Sequence, residues 1–390
     1  MAQNRTDEQY ADQIQSIMRK GNNKGDRTGT GTISQFALLS RYDNKHGRVL
    51  PVVSGKKTNI DAIIKENLWF VAGNSNIKQL VDGGVKIWNE WADENGDLGP
   101  VYPTQWRKRE DIKIVGAGDD DRIQVMHDRG YTYQGILMKQ DAAGFSKGGV
   151  FPTIWKREID QLANAIERLK THPECRRIIV DAWNPADLED MKLPPCHMSF
   201  IFNTHELDIT ERQELYIDCM IADVIGALNF KCTGLETDYE IKMQAREILL
   251  SEIYDSESTG ETETQEEMIH RFFDTNKVPS RGLDCAMVQR SADFFLGVPF
   301  NVTGYCIILH MVAKLVGMVP NELAHFTVDS HIYQNHTEQA LKYLNQVDER
   351  VYDEATLKIN GKQETIDDFT LEDFEYTYDH GAYIKAPVAV

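Results

Sequence analysis

Between Pro299 and Met318 the chain reads PFNVTGYCIILHMVAKLVGM. The spacing predicts one long, strongly apolar helix. His310 and Lys314 interrupt it, which argues against a membrane span. A helix of this kind demands a core, and 41% hydrophobic residues over 390 positions supply one. The length suits one large domain with insertions, or two domains.

Directly before this helix, LDCAMVQRSADFF (283–295) reads as a strand. RRIIVDAW (176–183) and MSFIFN (198–203) read as two more. Residues 7–20 predict a helix with Tyr10, Ile14, Ile17 and Met18 on one face. IDAIIKENLWFVAG (60–73) predicts a second, closed by Gly73, and Asn76 to Val85 a short third. IDQLANAIERLK (159–170) is amphipathic. Residues 93–107 read as turns and are oddly aromatic. Two stretches differ in texture and read as insertions, about 108–153 and 204–281. The second holds a strand-like LYIDCMI (215–221), a helical YEIKMQAREILLSEIY (239–254) and the acidic DSESTGETETQEE (255–267), expected to be a solvated loop.

The formal net charge is −19. That argues against a general nucleic-acid or membrane-surface binder, because both need basic patches. The N-terminus, MAQNRTDEQYADQ, lacks the pattern of a signal peptide. The six cysteines are scattered with no C-x-x-C pair, so no metal site or disulfide framework is expected, and a reducing cytoplasm is.

LPPCHMSF (193–200) places Cys196 and His197 side by side. Cys196 is a nucleophile, a metal ligand or a small buried filler. His197 looks like its base, but neighbours on a strand point to opposite faces. Arg27 lies in a Gly/Thr loop, Arg176 and Arg177 open a strand, and Arg290 precedes Ser291. Arginines at element ends suit a bidentate anion site, the alternative being surface ion pairs. Glu66 lies between Ile64 and Leu68. It is either a half-buried proton carrier or a helix-surface residue. Asp293, Asn301, His331 and Tyr333 are polar positions in apolar surroundings.

Taken together and in order, these pieces resemble the thymidylate synthase family. The resemblance is carried by DRTGTGT (26–32), ENLWFVAGNSN (66–76), IWNEWADENGDLGPVYPTQWR (87–107), RRIIVDAWNP (176–185), LPPCH (193–197), QRSADFFLGVPFN (289–301), DSHIYQNH (329–336) and IKAPVAV (384–390). It covers most of the chain outside the two insertions.

The resemblance implies an α+β fold. One catalytic domain would span 1–390, built on a mixed sheet that packs on its twin in an obligate homodimer. It implies dUMP as substrate and 5,10-methylenetetrahydrofolate as co-substrate, with no nucleic acid or membrane partner. By the family's pattern Cys196 is the nucleophile that adds to C6 of the base. Arg27, Arg290 and Ser291 hold the phosphate, and Arg176 and Arg177 reach across from the partner subunit. Arg290 also favours the Cys196 thiolate. Asn301 reads the O4/N3 edge and selects uracil, whereas cytosine is better met by a carboxylate. His331 and Tyr333 match the binders of the 3′-hydroxyl. Glu66, Tyr102 and His197 form a proton network through water. Asp293 matches the pterin-binding residue and belongs to the catalytic set. Ile87, Trp88, Trp91, Leu193, Gly297, Phe300 and Ala389 match the folate pocket, with the tail at Ala389–Val390 closing over the ligands.

The chain departs from common members at several positions. Ile201 stands for a Gln, Pro103 for a Gly and Asn89 for an Asp. Lys57 and Asn59 replace Arg and His, and Thr303 and Gly304 replace Ala and Ser. The family has two outcomes, reduction of the new methylene to dTMP or its hydration to 5-hydroxymethyl-dUMP. The folate-side departures and the insertions favour the phage-type dUMP hydroxymethylase, placing the protein in a host cell's cytoplasm. Retained Trp88 favours the synthase. An inactive regulatory homologue is a third reading, opposed by intact Cys196, Arg290, Asn301 and Glu66.

Overall fold

A computed structural model describes residues 4–116, 120–137, 151–228 and 264–388, with a few positions between 246 and 251. The first half of the chain runs α1 (Arg5–Lys20), β1 (Asn22–Lys24), β2 (Thr32–Asp43), α2 (Ile60–Val71), α3 (Lys78–Asp82), α4 (Tyr102–Arg107), β3 (Arg109–Val115), α5 (Asp120–Asp128), β4 (Thr132–Ile136), β5 (Thr153–Ile159) and α6 (Gln161–Thr171). The second runs β6 (Ile179–Asp181), β7 (His197–Glu206), α7 (Ile209–Leu228), α8 (Gln265–Thr275), β8 (Arg281–Asp293), α9 (Gly297–Val316), β9 (Val319–Tyr333), α10 (Thr337–Glu349), β10 (Thr356–Ile359) and β11 (Phe374–Thr377).

The helix starts follow side-chain chemistry. Asn4, Asn59 and Asp160 cap α1, α2 and α6, each accepting from the backbone N–H three residues on. Gly73, just past α2, takes a left-handed φ of 68°, as a helix stop requires.

Six strands form a mixed sheet in the order β1-β2-β9-β8-β7-β6. Only β8 and β9 run parallel, joined through α9. Every residue of α9 from Val302 to Ala313 is buried. The all-round apolar sequence thus lies between the sheet and the helices α2 and α6. By length and composition α9 could cross a membrane, but 78% of that window is buried inside the protein.

One sheet face, with Phe200, Phe202, Leu283, Met287 and Leu323, closes the core. The other face is open. Leu39 pairs Phe326, and Ile179 pairs Ile201. Leu39, Phe326 and Ile179 are exposed.

Several local expectations need correcting. The turn-rich 93–107 stretch contains α4, with Pro103 in its first turn where a missing N–H is harmless. LYIDCMI is helical, inside α7, not a strand. Its seven residues alternate well enough to imitate a strand, but the missed signal lay upstream. Asp208 and Glu211 accept reciprocally from each other's backbone N–H at 2.8 Å, a capping box. The strands β3, β4 and β5 build their own sheet, in the order β3-β5-β4. Its small core of Val115, Met126, Tyr131 and Trp155 is separate from the main one. Most of 239–254 and the acidic run up to residue 263 lie outside the described residues. The end of that run opens α8, capped by Thr264 and Glu267.

Candidate active site

Strand register brings one end of the sheet together. His197 at the start of β7 pairs Gln289 near the end of β8, and Asp293 pairs His331 near the end of β9. Thr32, just after the Arg27 loop, pairs Tyr333. This is the carboxyl end of the parallel pair, where open sheets place ligands.

Cys196 sits just before β7. Its loop is held by Arg290, whose Nε donates to Pro195 O and Nη2 to Pro194 O, both at 2.9 Å. The guanidinium lies 5.5 Å from the Trp183 ring. Tyr102 Oη accepts from the Cys196 N–H at 2.6 Å. Burial pushes the pKa of the Cys196 thiol up, and the Arg290 charge pulls it down without overcoming that, so the resting thiol sits above its ordinary value.

His197 stacks on Tyr102 with ring centres 4.0 Å apart, and its Nδ1 meets Tyr305 Oη at 2.8 Å. Burial, with His325 nearby, lowers its pKa to about 3. A neutral imidazole so weak in basicity suits a network position, not a base for sulfur. Glu66 is buried on α2, and burial raises its pKa to about 7. Trp88 Nε1 donates to Glu66 Oε1 at 2.7 Å, and Trp88 packs among Trp69, Phe70, Trp91 and Tyr102. The helix-surface alternative for Glu66 is thereby excluded.

Asn301, in the second turn of α9, is oriented by a residue the sequence reading passed over. Gln289 Nε2 donates to Ser291 O and to Asn301 Oδ1, both at 3.0 Å, and Gln289 Oε1 meets His325 Nε2 at 2.9 Å. A main-chain carbonyl only accepts, so that end of Gln289 is the NH2 group. It follows that His325 Nε2 carries its proton and that the Asn301 atom facing Gln289 is oxygen. The available signal was a buried Gln beside Arg290 in a strand.

His331 and Tyr333 meet edge to face, ring centres 5.2 Å apart. The Tyr333 phenol is raised to about 12, by burial first, with Asp293, Asp26 and Cys196 adding and Arg27 opposing. The exposed Arg27 loop leads into Thr32, the partner of Tyr333 in the sheet. Asp293 Oδ1 accepts from the N–H groups of Phe295 and Leu296 at 2.9 and 3.1 Å. Gly297 follows at the start of α9. Leu193, Trp91 and Phe300 are half-buried, and Ile87 is exposed. Arg176 and Arg177 are exposed before β6, and no hydrogen bond or ion pair joins them to this pocket among the described residues. Ala389 and Val390 lie outside those residues.

A protein-family model described as thymidylate synthase matches residues 8–232 and 265–390. The chain belongs to the thymidylate synthase family. It is accordingly a C5 methyl- or hydroxymethyltransferase of dUMP, of a family that uses methylenetetrahydrofolate as co-substrate.

Within this family its departures acquire local reasons. Asn59 caps α2. Thr303 donates to Pro51 O at 3.1 Å. Asn67 Nδ2 donates to Gly304 O at 2.8 Å, and a Cβ on Gly304 would press Asn67 Oδ1 at 3.3 Å. The Lys57 N–H meets Ala382 O of the tail, and Asn89 is exposed. Ile201 alternates with the core-facing Phe200 and Phe202 and so lies on the open sheet face.

Proposed function

We propose that the enzyme makes dTMP, with Cys196 adding to C6 of dUMP and the new one-carbon group at C5 ending reduced. The observation that carries this reading is Trp88, locked to Glu66 in a buried aromatic wall beside Tyr102. A wall of this kind keeps water from an exocyclic methylene. Of the departures that favoured hydration, Asn59, Thr303 and Gly304 have local structural roles, which lessens their weight.

The folate pocket fits its group. Trp88, Trp91, Leu193 and Phe300 offer flat and apolar surface, with Ile87 and Gly297 at its edge. The Asp293 carboxylate offers an acceptor for pterin N–H groups. When bound, the folate supplies the one-carbon unit and the hydride. The chain's residues do the rest. Arg27, Arg290 and Ser291 hold the phosphate, with Arg176 and Arg177 from a second subunit. His331 and Tyr333 take the 3′-hydroxyl. As sulfur bonds to C6, charge moves to O4, where the Asn301 amide donates and Glu66 passes a proton through water. The open apolar sheet face supports a homodimer. We read 1–390 as one catalytic domain elaborated at about 108–153 and 204–281.

Hydration to 5-hydroxymethyl-dUMP is a second reading, favoured by the same Glu66, whose raised pKa suits it to take a proton from water. Incubation with dUMP and methylenetetrahydrofolate separates the two. Reduction yields one dihydrofolate per nucleotide consumed, and consumption without dihydrofolate overturns it.

The base preference has its own test. In Asn301→Asp one carboxylate oxygen still accepts from Gln289, while the other turns an acceptor to the base. The dCMP:dUMP ratio of kcat/KM is expected to rise by about 10²-fold. An unchanged ratio would remove Asn301 as the reader of the base edge.

A further inference from the structure

His325 stands one hydrogen bond behind Gln289. It lies on β9, between Met287 of β8 and Ser40 of β2 in the sheet register, and is completely buried. Its one side-chain hydrogen bond among the described residues joins Nε2 to Gln289 Oε1 at 2.9 Å. Its Nδ1 is buried and has no partner. Burial lowers its pKa to about 3, so the ring is neutral and carries a single proton.

The neighbours decide where that proton sits. On Nε2 it meets an amide oxygen. On Nδ1 it would be a buried donor without an acceptor, and the Nε2 lone pair would face those of Gln289 Oε1. The ring therefore presents a fixed donor. Gln289 is held at both ends, its NH2 by the Ser291 and Asn301 oxygens and its Oε1 by His325. Turning this amide over sets oxygen against the Ser291 carbonyl and an N–H against the His325 N–H. Asn301 inherits the order. With Oδ1 facing Gln289, it offers the base an acceptor and a donor in the sense that uracil N3–H and O4 require. Cytosine presents an acceptor at N3 and a donor at N4. Asn301 meets it only by turning over, which sets its NH2 against that of Gln289.

We propose that His325 is a positioning residue for base specificity: its Nε2–H fixes Gln289, and through Gln289 the edge that Asn301 shows the pyrimidine. This rests on the reading of Asn301 given above.

The test uses the full-length chain. His325→Phe and His325→Leu remove the donor with different side-chain volumes, and His325→Gln places an amide N–H near the position of Nε2. The dCMP:dUMP ratio is read twice, in kcat/KM and in affinity by equilibrium dialysis. Both donor-less variants are expected to shift it toward dCMP about tenfold, the effect of one lost hydrogen bond. His325→Gln should bring it back to within about twofold of wild type. A merely structural histidine would weaken both nucleotides alike and leave the ratio unmoved. An unchanged ratio in a folded Phe or Leu variant, or a Gln variant that shifts as far, overturns the proposal. So does a nitrogen NMR spectrum of the wild-type imidazole with its proton on Nδ1. If Asn301→Asp leaves the ratio unchanged, the reading of Asn301 falls and this proposal with it. A shift there with none in the His325 variants overturns the proposal alone. If wild type binds dUMP without turning it over, the functional reading falls, and dialysis still decides the role of His325.

Discussion

Cys196→Ala should lower kcat by about 10⁴-fold or more, because the variant lacks the sulfur on which the C6 adduct forms. Cys175 is half-buried elsewhere, and Cys285 and Cys306 are buried in the core. Binding of dUMP should persist, since Arg290 stays anchored to the Pro194 and Pro195 carbonyls whatever side chain follows. Equilibrium dialysis with labelled dUMP checks the second half. Arg177→Ala should also be inactive, but for a reason that a neighbour can repair. In mixed dimers one site combines an intact Cys196 with an Arg177 donated by the Cys196→Ala chain. About a quarter to a half of the wild-type rate is expected, as one site in two is complete in a heterodimer. No recovery in verified heterodimers would mean that Arg177 serves its own subunit, or no site at all.

Glu66→Gln is the second large effect, and it acts in opposite senses on activity and stability. Loss of a positioned proton carrier should cost about 10²–10⁴ in kcat. Stability should move the other way. The carboxyl has its pKa raised from 4.5 to about 7 by burial. The folded state therefore binds more protons than the unfolded one between those values, and stability falls as pH rises through that window. Above it the buried charge costs roughly 3 kcal/mol. Gln keeps the oxygen that accepts from Trp88 and carries no charge. The variant should therefore melt higher than wild type near pH 8, with the difference fading toward pH 5. Thermal unfolding across that range checks the sign. A variant less stable at high pH would show that Glu66 is held charged by partners, against its burial.

The strands and helices legible in the sequence were those whose periodicity had a single reason. In α1, Tyr10, Ile14 and Ile17 share a stripe, and α9 is apolar on every side because every side is covered. LYIDCMI misled because seven residues fit both periods, and the Asp208–Glu211 box that decides the matter lies outside them. The site's expected membership came from the family resemblance carried by its motifs. Its internal couplings were not legible there. That Gln289 sets which way Asn301 faces depends on a main-chain carbonyl two residues further along β8. The pull of Arg290 toward the Cys196 thiolate was legible in the sequence, while the burial that outweighs it was not. Ile201 drew attention by its identity, and only the strand's alternation reveals that it faces the other way.

The single parallel pairing in the sheet has a further consequence. Because β8 returns through α9 to β9, one uninterrupted run, 281–333, carries Arg290, Ser291, Asp293, Asn301, His331 and Tyr333. The two foreign-looking stretches, 108–153 and 204–281, end at or before its first residue. The chain can therefore acquire or lose bulk upstream while this group of candidate site residues keeps its mutual geometry, with Arg27, Arg176, Arg177 and Cys196 supplied from outside the run. New appendages on this scaffold are free to change where the enzyme goes and whom it meets before they change what it recognises.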